Sequence, residues 1–166
     1  KGSTTPTPNT FSLSPLLAGG KQESGLRAGT ENVAAIVGFA AAVEIAVRER
    51  ERDRARIAKL RDALWRGLQK ISPRILLNGP PLSSPHRLPG NLNISFLGYR
   101  AADLLPAFDL AGLAVSAGSA CASRAPTPSH VLAAIGLSSS RASASIRFTL
   151  GRATTAREIA NTLTLV

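Results

Sequence analysis

The chain contains one cysteine, Cys121, set in the stretch "SAGSACASRAPTPSHVL" at residues 116–132. A thiol used for packing sits inside a periodic apolar pattern. This one follows Gly118, Ser119 and Ala120 and precedes Ser123, Arg124, Pro126 and Pro128. Such a segment buries little and rearranges cheaply, so the thiol reads as displayed, against the plainer alternative of a small buried hydrophobe. Arg124 favours the thiolate wherever it approaches the sulfur. The pattern suggests a nucleophile that has to move. A second candidate is "GGKQESGLRAGTEN", in which glycines precede a helix start and Arg27 and the Thr30 hydroxyl sit near its first turn. Free N–H groups and the helix dipole make that an anion site, or else a plain turn. The third is Arg147 in "SIRFTLG". Alternation along a strand places it on one face with Ser145 and Thr149, opposite Ile146, Phe148 and Leu150. An arginine beside hydroxyls could clamp a carboxylate through both arms of its fork, or could be an exposed edge residue. His86 and His130 have no metal-ligand spacing to another donor, so ordinary roles and no metal site are expected.

The elements that must position these residues follow from periodicity. Residues 1–15 are rich in Thr, Pro and Ser and read as irregular. A long helix is expected next, with Thr30 as N-cap and Glu31 in the first turn, running to about residue 71, either unbroken or interrupted near the charged block "RERERDRAR". Its apolar stripe runs through Ile57, Leu60, Leu64, Leu68 and Ile71. "RILLNG" and "NLNISFLG" read as strands. "DLLPAFDLAG" reads as a short helix capped by Asp103, with Pro106 at its third position and Gly112 at its end. "LAVSAG" is a further strand. Thr127 and Pro128 start a helix that Gly136 closes, "SIRFTLG" is the last strand, and Thr155 and Glu158 form a capping box before a final helix. Helices alternating with short strands predict an α/β (α+β) architecture, helices packed on a small sheet in two layers.

Composition bounds the rest. Lys and Arg number 20 against 10 Asp and Glu, for a net charge of +10. In the block at residues 48–56 acidic residues are interleaved, and pairs such as Glu44 with Arg48 support a solvated helix face rather than a nucleic-acid patch, since no stacking aromatics accompany the arginines. A lone cysteine forms no internal disulfide and fits a reducing compartment. No apolar run reaches the length of a membrane span. The chain begins at Lys1 and stops at Val166 within an apolar helical pattern, so a piece of something longer is expected.

Three spaced segments, "GGKQESGLRAGTENV", "VSAGSACAS" with "PSHVLAAIGLS", and "SIRFTLGRATT", together resemble the pyridoxal-phosphate-dependent cysteine desulfurases of the class V aminotransferase-like group. The seven-residue step from Cys121 to Pro128 resembles the subgroup with a long cysteine loop. The resemblance covers the chain from about Leu13 onward. It implies the C-terminal part of a fold type I transferase: residues 1–30 from the end of the large cofactor domain, then residues 31–166 as connecting helix and small domain. It implies that Cys121 attacks the sulfur of substrate L-cysteine, yielding L-alanine and a persulfide for iron–sulfur cluster assembly or other sulfur transfer. Arg147 then matches the arginine that binds the substrate carboxylate, and Thr30 a threonine touching the cofactor phosphate across a homodimer. In the family the cofactor lysine follows a Ser-x-His sequence. No such sequence lies upstream of these motifs, Lys21, Lys59 and Lys70 lie in other contexts, and Lys21 stands where the family commonly has glycine. The fragment alone is therefore expected to be inactive. The implied partners are an iron–sulfur scaffold or sulfur-carrier protein, and the implied location is the cytoplasm, or a plastid or mitochondrion in a eukaryote. The rival reading is a non-catalytic module that docks to a partner or binds nucleic acid through its basic charge.

Overall fold

The computed structural model describes residues 13–118 and 129–166. The chain divides into two compact units, Lys1–Val47 and Arg48–Val166.

In the first unit, a short 3₁₀ turn at Gln22–Gly25 leads towards α1 (Val33–Ile71), whose opening turns lie in this unit. Thr30 is not its cap. The Asn32 side-chain oxygen accepts from the Ala35 N–H at 3.0 Å, so the helix starts two residues later than expected and Glu31 lies outside the first turn. Asn ranks above Thr as a cap, and here its carbonyl reaches the third N–H of the helix. α1 is one continuous helix through the charged block, so of the two courses open in the sequence the unbroken one holds. Arg48, Arg50 and Arg52 pair with Glu49, Glu51 and Asp53 along it, so Arg48 finds its adjacent neighbour rather than Glu44.

The second unit is built on a three-stranded antiparallel sheet in the order β1 (Ile75–Leu77), β2 (Asn91–Phe96), β3 (Ser145–Thr149). The register sets Leu92 opposite Phe148, Ile94 opposite Ile146, Asn93 opposite Arg147 and Ser95 opposite Ser145. Because side chains alternate, one face is apolar and the other polar. Leu92, Ile94, Phe96, Ile146 and Phe148 make the apolar face and are buried with Leu64 and Leu68 of α1, Phe108 of α2 (Ala101–Leu110) and Ile159 of α5 (Ala156–Leu165). Each fully buried leucine or isoleucine contributes about 1.5–3 kcal/mol. The β1–β2 connection returns tightly over the sheet at Gly90, where an added Cβ would lie 2.2 Å from the Leu150 carbonyl oxygen.

Three local expectations change. α2 begins after Arg100, with Asp103 inside its first turn and Pro106 as its sixth residue. The Leu104 N–H closes the first turn on Arg100 O at 3.1 Å, which brings the helix start forward and leaves the proline to omit one later bond. Gly112 does end it, in a left-handed conformation with φ 82° that L residues avoid. Among the described residues "LAVSAG" forms one bridge, Ser116 to Arg147, rather than a strand. The start assigned to Thr127 and Pro128 lies outside the described residues; α3 spans His130–Ala134 after Ser129. An additional short helix, α4 (Ser139–Ser143), precedes β3. The Thr155–Glu158 capping box is present.

Candidate active site

Arg147 sits mid-strand in β3, held by the sheet on one side and by the Ser116 bridge on the other, where its N–H donates to Ser116 O at 2.6 Å. Its guanidinium Nε is fully enclosed and has no hydrogen-bond partner among the described residues. An enclosed charged donor without an acceptor is costly, and such groups mark a place where a ligand supplies the partner. Arg147 lines a cavity of about 320 Å³ together with Asn93, Asn78, His86, Gly118 and Ser129. Its other walls include Leu132 and Ile135 beyond the sheet's polar face.

The polar face next to Arg147 carries a hydrogen-bonded cluster. Asn78, just past β1, is buried, as are Ser95 and Ser145. The Asn78 amide nitrogen lies 2.7 Å from Asn93 Oδ1, 2.8 Å from Ser95 Oγ and 3.0 Å from Ser145 Oγ. Its oxygen accepts from Arg141 Nε at 3.0 Å and Ser95 Oγ at 3.1 Å. Arg141 Nη2 also donates to Leu77 O at 2.7 Å, which ties α4 to β1. Behind this cluster Arg87 is buried without a carboxylate. It donates instead to the carbonyls of Asn78, Pro80 and Asn91, pinning the β1–β2 connection that forms the cavity rim. Burial, and secondarily the positive charge of Arg61, hold the Arg87 pKa below its usual value.

Of the three sequence candidates, Arg147 lines this cavity. Cys121 and Arg124 lie outside the described residues, although the residues that flank their segment, Gly118 and Ser129, both line the cavity. Thr30 belongs to the first unit. It is exposed, and its carbonyl accepts from Arg27 Nη2 at 3.1 Å while Gly29 O accepts from Arg27 Nη1 at 2.9 Å. Arg27 thus folds onto its own turn. Glu23 and Ser24 in the preceding turn take left-handed φ values of 51° and 59°, a conformation that costs non-glycine residues roughly 1–2 kcal/mol. His86 lines the cavity and is exposed; His130 is an exposed residue of α3.

Sequence reasoning missed Asn78, Asn93, Arg87 and Arg141. Asn93 carried a usable signal, a polar residue on a strand at the parity opposite Leu92 and Ile94. Arg87 carried none, because nothing in "SSPHRLPG" shows which carbonyls it will meet.

The chain is similar to the cysteine desulfurase IscS of Dictyoglomus turgidum, with 44% identity over 151 residues, 91% of this chain and 38% of that protein. A cysteine desulfurase IscS 1 of Archaeoglobus fulgidus is 42% identical over 147 residues, 89% of this chain and 37% of its own length. In three dimensions the chain superimposes on the crystal structure of a NifS-like protein from Rickettsia africae with a TM-score of 0.74 and 32% identity, covering 93% of this chain and 39% of that one. The chain therefore spans about two fifths of the length of these relatives. No helix among the described residues is long and apolar enough to cross a membrane. The family model for aminotransferase class-V matches residues 12–161, a span that takes in the sheet, the Arg147 cavity and both flanks of the cysteine segment, and on that match the chain belongs to the class-V aminotransferase family.

Proposed function

We propose that this chain is the C-terminal portion of a cysteine desulfurase, which takes sulfur from L-cysteine and leaves L-alanine and a persulfide on Cys121. The observation that carries the proposal is the enclosed Arg147 Nε, without a partner among the described residues, at a cavity whose wall includes both flanks of the cysteine segment. Arg147 receives the substrate carboxylate, which supplies the acceptor its fork lacks and fixes the amino acid's orientation. Cys121 is three residues beyond Gly118, a tether of at most about 11 Å. Its thiolate attacks the substrate sulfur, an S–S bond forms and the C–S bond breaks. The released electron pair passes to the substrate carbon, which takes a proton and becomes alanine.

The residues present fit parts of a pyridoxal-phosphate enzyme, each within its own unit. In the first, the exposed Thr30 precedes the start of α1 by three residues, and its hydroxyl would suit a phosphate; in the second, Arg147 would suit the carboxylate of the bound amino acid. When bound, the cofactor supplies the electron sink for the substrate's carbon framework. On this reading its lysine and ring contacts are supplied by polypeptide outside this chain. On this reading residues 1–30 close the cofactor domain of a homodimer and residues 31–166 are the connecting helix and small domain. The sulfur then passes to an iron–sulfur scaffold or carrier protein in a reducing compartment. The ion pairing of the 48–56 block within its own helix weighs against the basic-module alternative.

The test combines this chain with the complementing polypeptide of a relative and adds L-cysteine. Alanine release and a persulfide on the Cys121 peptide by mass spectrometry are expected, both vanishing in Cys121→Ser. Alanine release that survives Cys121→Ser would refute the assignment.

A further inference from the structure

The hydrogen-bond cluster beside Arg147 has only one consistent set of amide orientations. Arg141 Nε is an obligate donor, so the Asn78 atom 3.0 Å from it is the carbonyl oxygen. The other arm of Asn78 is then the amino group. Its neighbour at 2.7 Å on Asn93 must accept, which makes that atom Asn93 Oδ1. The Asn93 amino group is thereby turned away from the cluster. Sheet order decides where it turns. Asn78 pairs with β2 from the β1 side, its N–H donating to Asn93 O at 2.9 Å, whereas Arg147 faces Asn93 from β3 on the other side. Directly opposed residues have Cβ atoms roughly 4.5–5.5 Å apart and share a face. Asn93 and Arg147 both line the cavity, and among the described residues neither Asn93 Nδ2 nor Arg147 Nε has an acceptor.

We infer that Asn93 is a second binding residue for the substrate carboxylate: its Nδ2 and the Arg147 fork grip one carboxylate across the β2–β3 pair, and the Arg141–Asn78 relay aims the Asn93 donor. This rests on the proposed role of Arg147 and adds a specificity element to it. The site demands an anionic acceptor that reaches both strands, so it selects a free α-amino acid over its amide. Arg141 is on this account a positioning residue.

The experiment measures calorimetric dissociation constants of L-alanine and L-alaninamide for this chain joined to the complementing polypeptide, at pH 7 and at pH 4.5. In Asn93→Asp the bond to Asn78 is kept while the donor becomes a like charge, so L-alanine affinity should fall tenfold or more at pH 7. Part of that loss should return at pH 4.5, relative to the unsubstituted protein, as the new carboxyl begins to protonate. Asn93→Ala, which removes the donor without adding charge, should weaken L-alanine by about three- to tenfold and leave L-alaninamide unchanged. Arg141→Gln, which can present an acceptor to Asn78, should weaken L-alanine in the same direction. Wild-type affinity in both Asn93 variants, with loss confined to Arg147→Gln, overturns this inference and leaves the proposed function standing. Unchanged affinity in Arg147→Gln as well overturns both.

Discussion

Arg147 and Arg87 show how environment divides one side-chain type between two tasks. Arg87 meets carbonyls on every arm and serves as a clamp, whereas Arg147 keeps an enclosed Nε without an acceptor among the described residues. Arg147→Lys keeps the charge but loses the planar fork, so in the reconstituted enzyme KM for L-cysteine should rise about tenfold or more, with a smaller change in kcat, measured by steady-state alanine release. Asn78 lies at the junction of β1, β2, β3 and α4. Asn78→Ala would remove the Asn78 partner of Arg141 Nε and of Asn93 Oδ1, while the buried Ser95 and Ser145 hydroxyls keep each other and the Arg141 carbonyl, and a buried group left without a partner costs about 1–3 kcal/mol. A drop in the urea midpoint of unfolding with unchanged slope is the expected result.

At the scale of elements, α5 and the β1–β2 connection are set by different physics. The start of α5 is local: Thr155 Oγ1 accepts from the Glu158 N–H at 3.2 Å, and Glu158 returns a carboxylate oxygen to the Thr155 N–H at 2.7 Å. The backbone bond from Thr155, followed by its hydroxyl, holds the Glu158 pKa below the ordinary glutamate value. A depressed carboxylate stabilises the fold above its unfolded pKa, and that contribution disappears as pH falls through the folded value. Thermal melts by circular dichroism should therefore lose stability below about pH 4.3, and Glu158→Gln should flatten this acid limb. Thr155→Ala should cost about 1 kcal/mol. The path at Gly90 is tertiary, because only its approach to Leu150 O excludes a Cβ. Gly90→Ala should destabilise by about 1–3 kcal/mol through forced displacement, read as a lower unfolding midpoint.

At the scale of the molecule, the opening of α1 is apolar on all sides. Val33, Ile36, Val37, Phe39, Val43, Ile45 and Val47 are between 38% and 72% exposed. A helix of that character is stable where protein encloses it, and the longer relatives carry polypeptide beyond the matched region. The isolated chain should self-associate, as measured by light scattering, and adding the complementing polypeptide or substituting Phe39→Lys with Val37→Glu should reduce it. The three strands of the sheet, the α5 capping box, the Leu64–Leu68 stripe and the parity of Arg147 were legible in the sequence, since periodicity and capping act over a few residues, whereas the strand expected at "LAVSAG" is reduced to a bridge. The alternation of "NLNISF" separates Asn93 from Leu92 and Ile94, but only the register with β3 sets it opposite the arginine. The pairing of Asn93 with Arg147, the carbonyl nest around Arg87 and the relay from Arg141 through Asn78 were settled only by tertiary structure. They join residues from separate parts of the chain, and a hydrogen bond is defined by where its acceptor lies in space, which composition and spacing leave open.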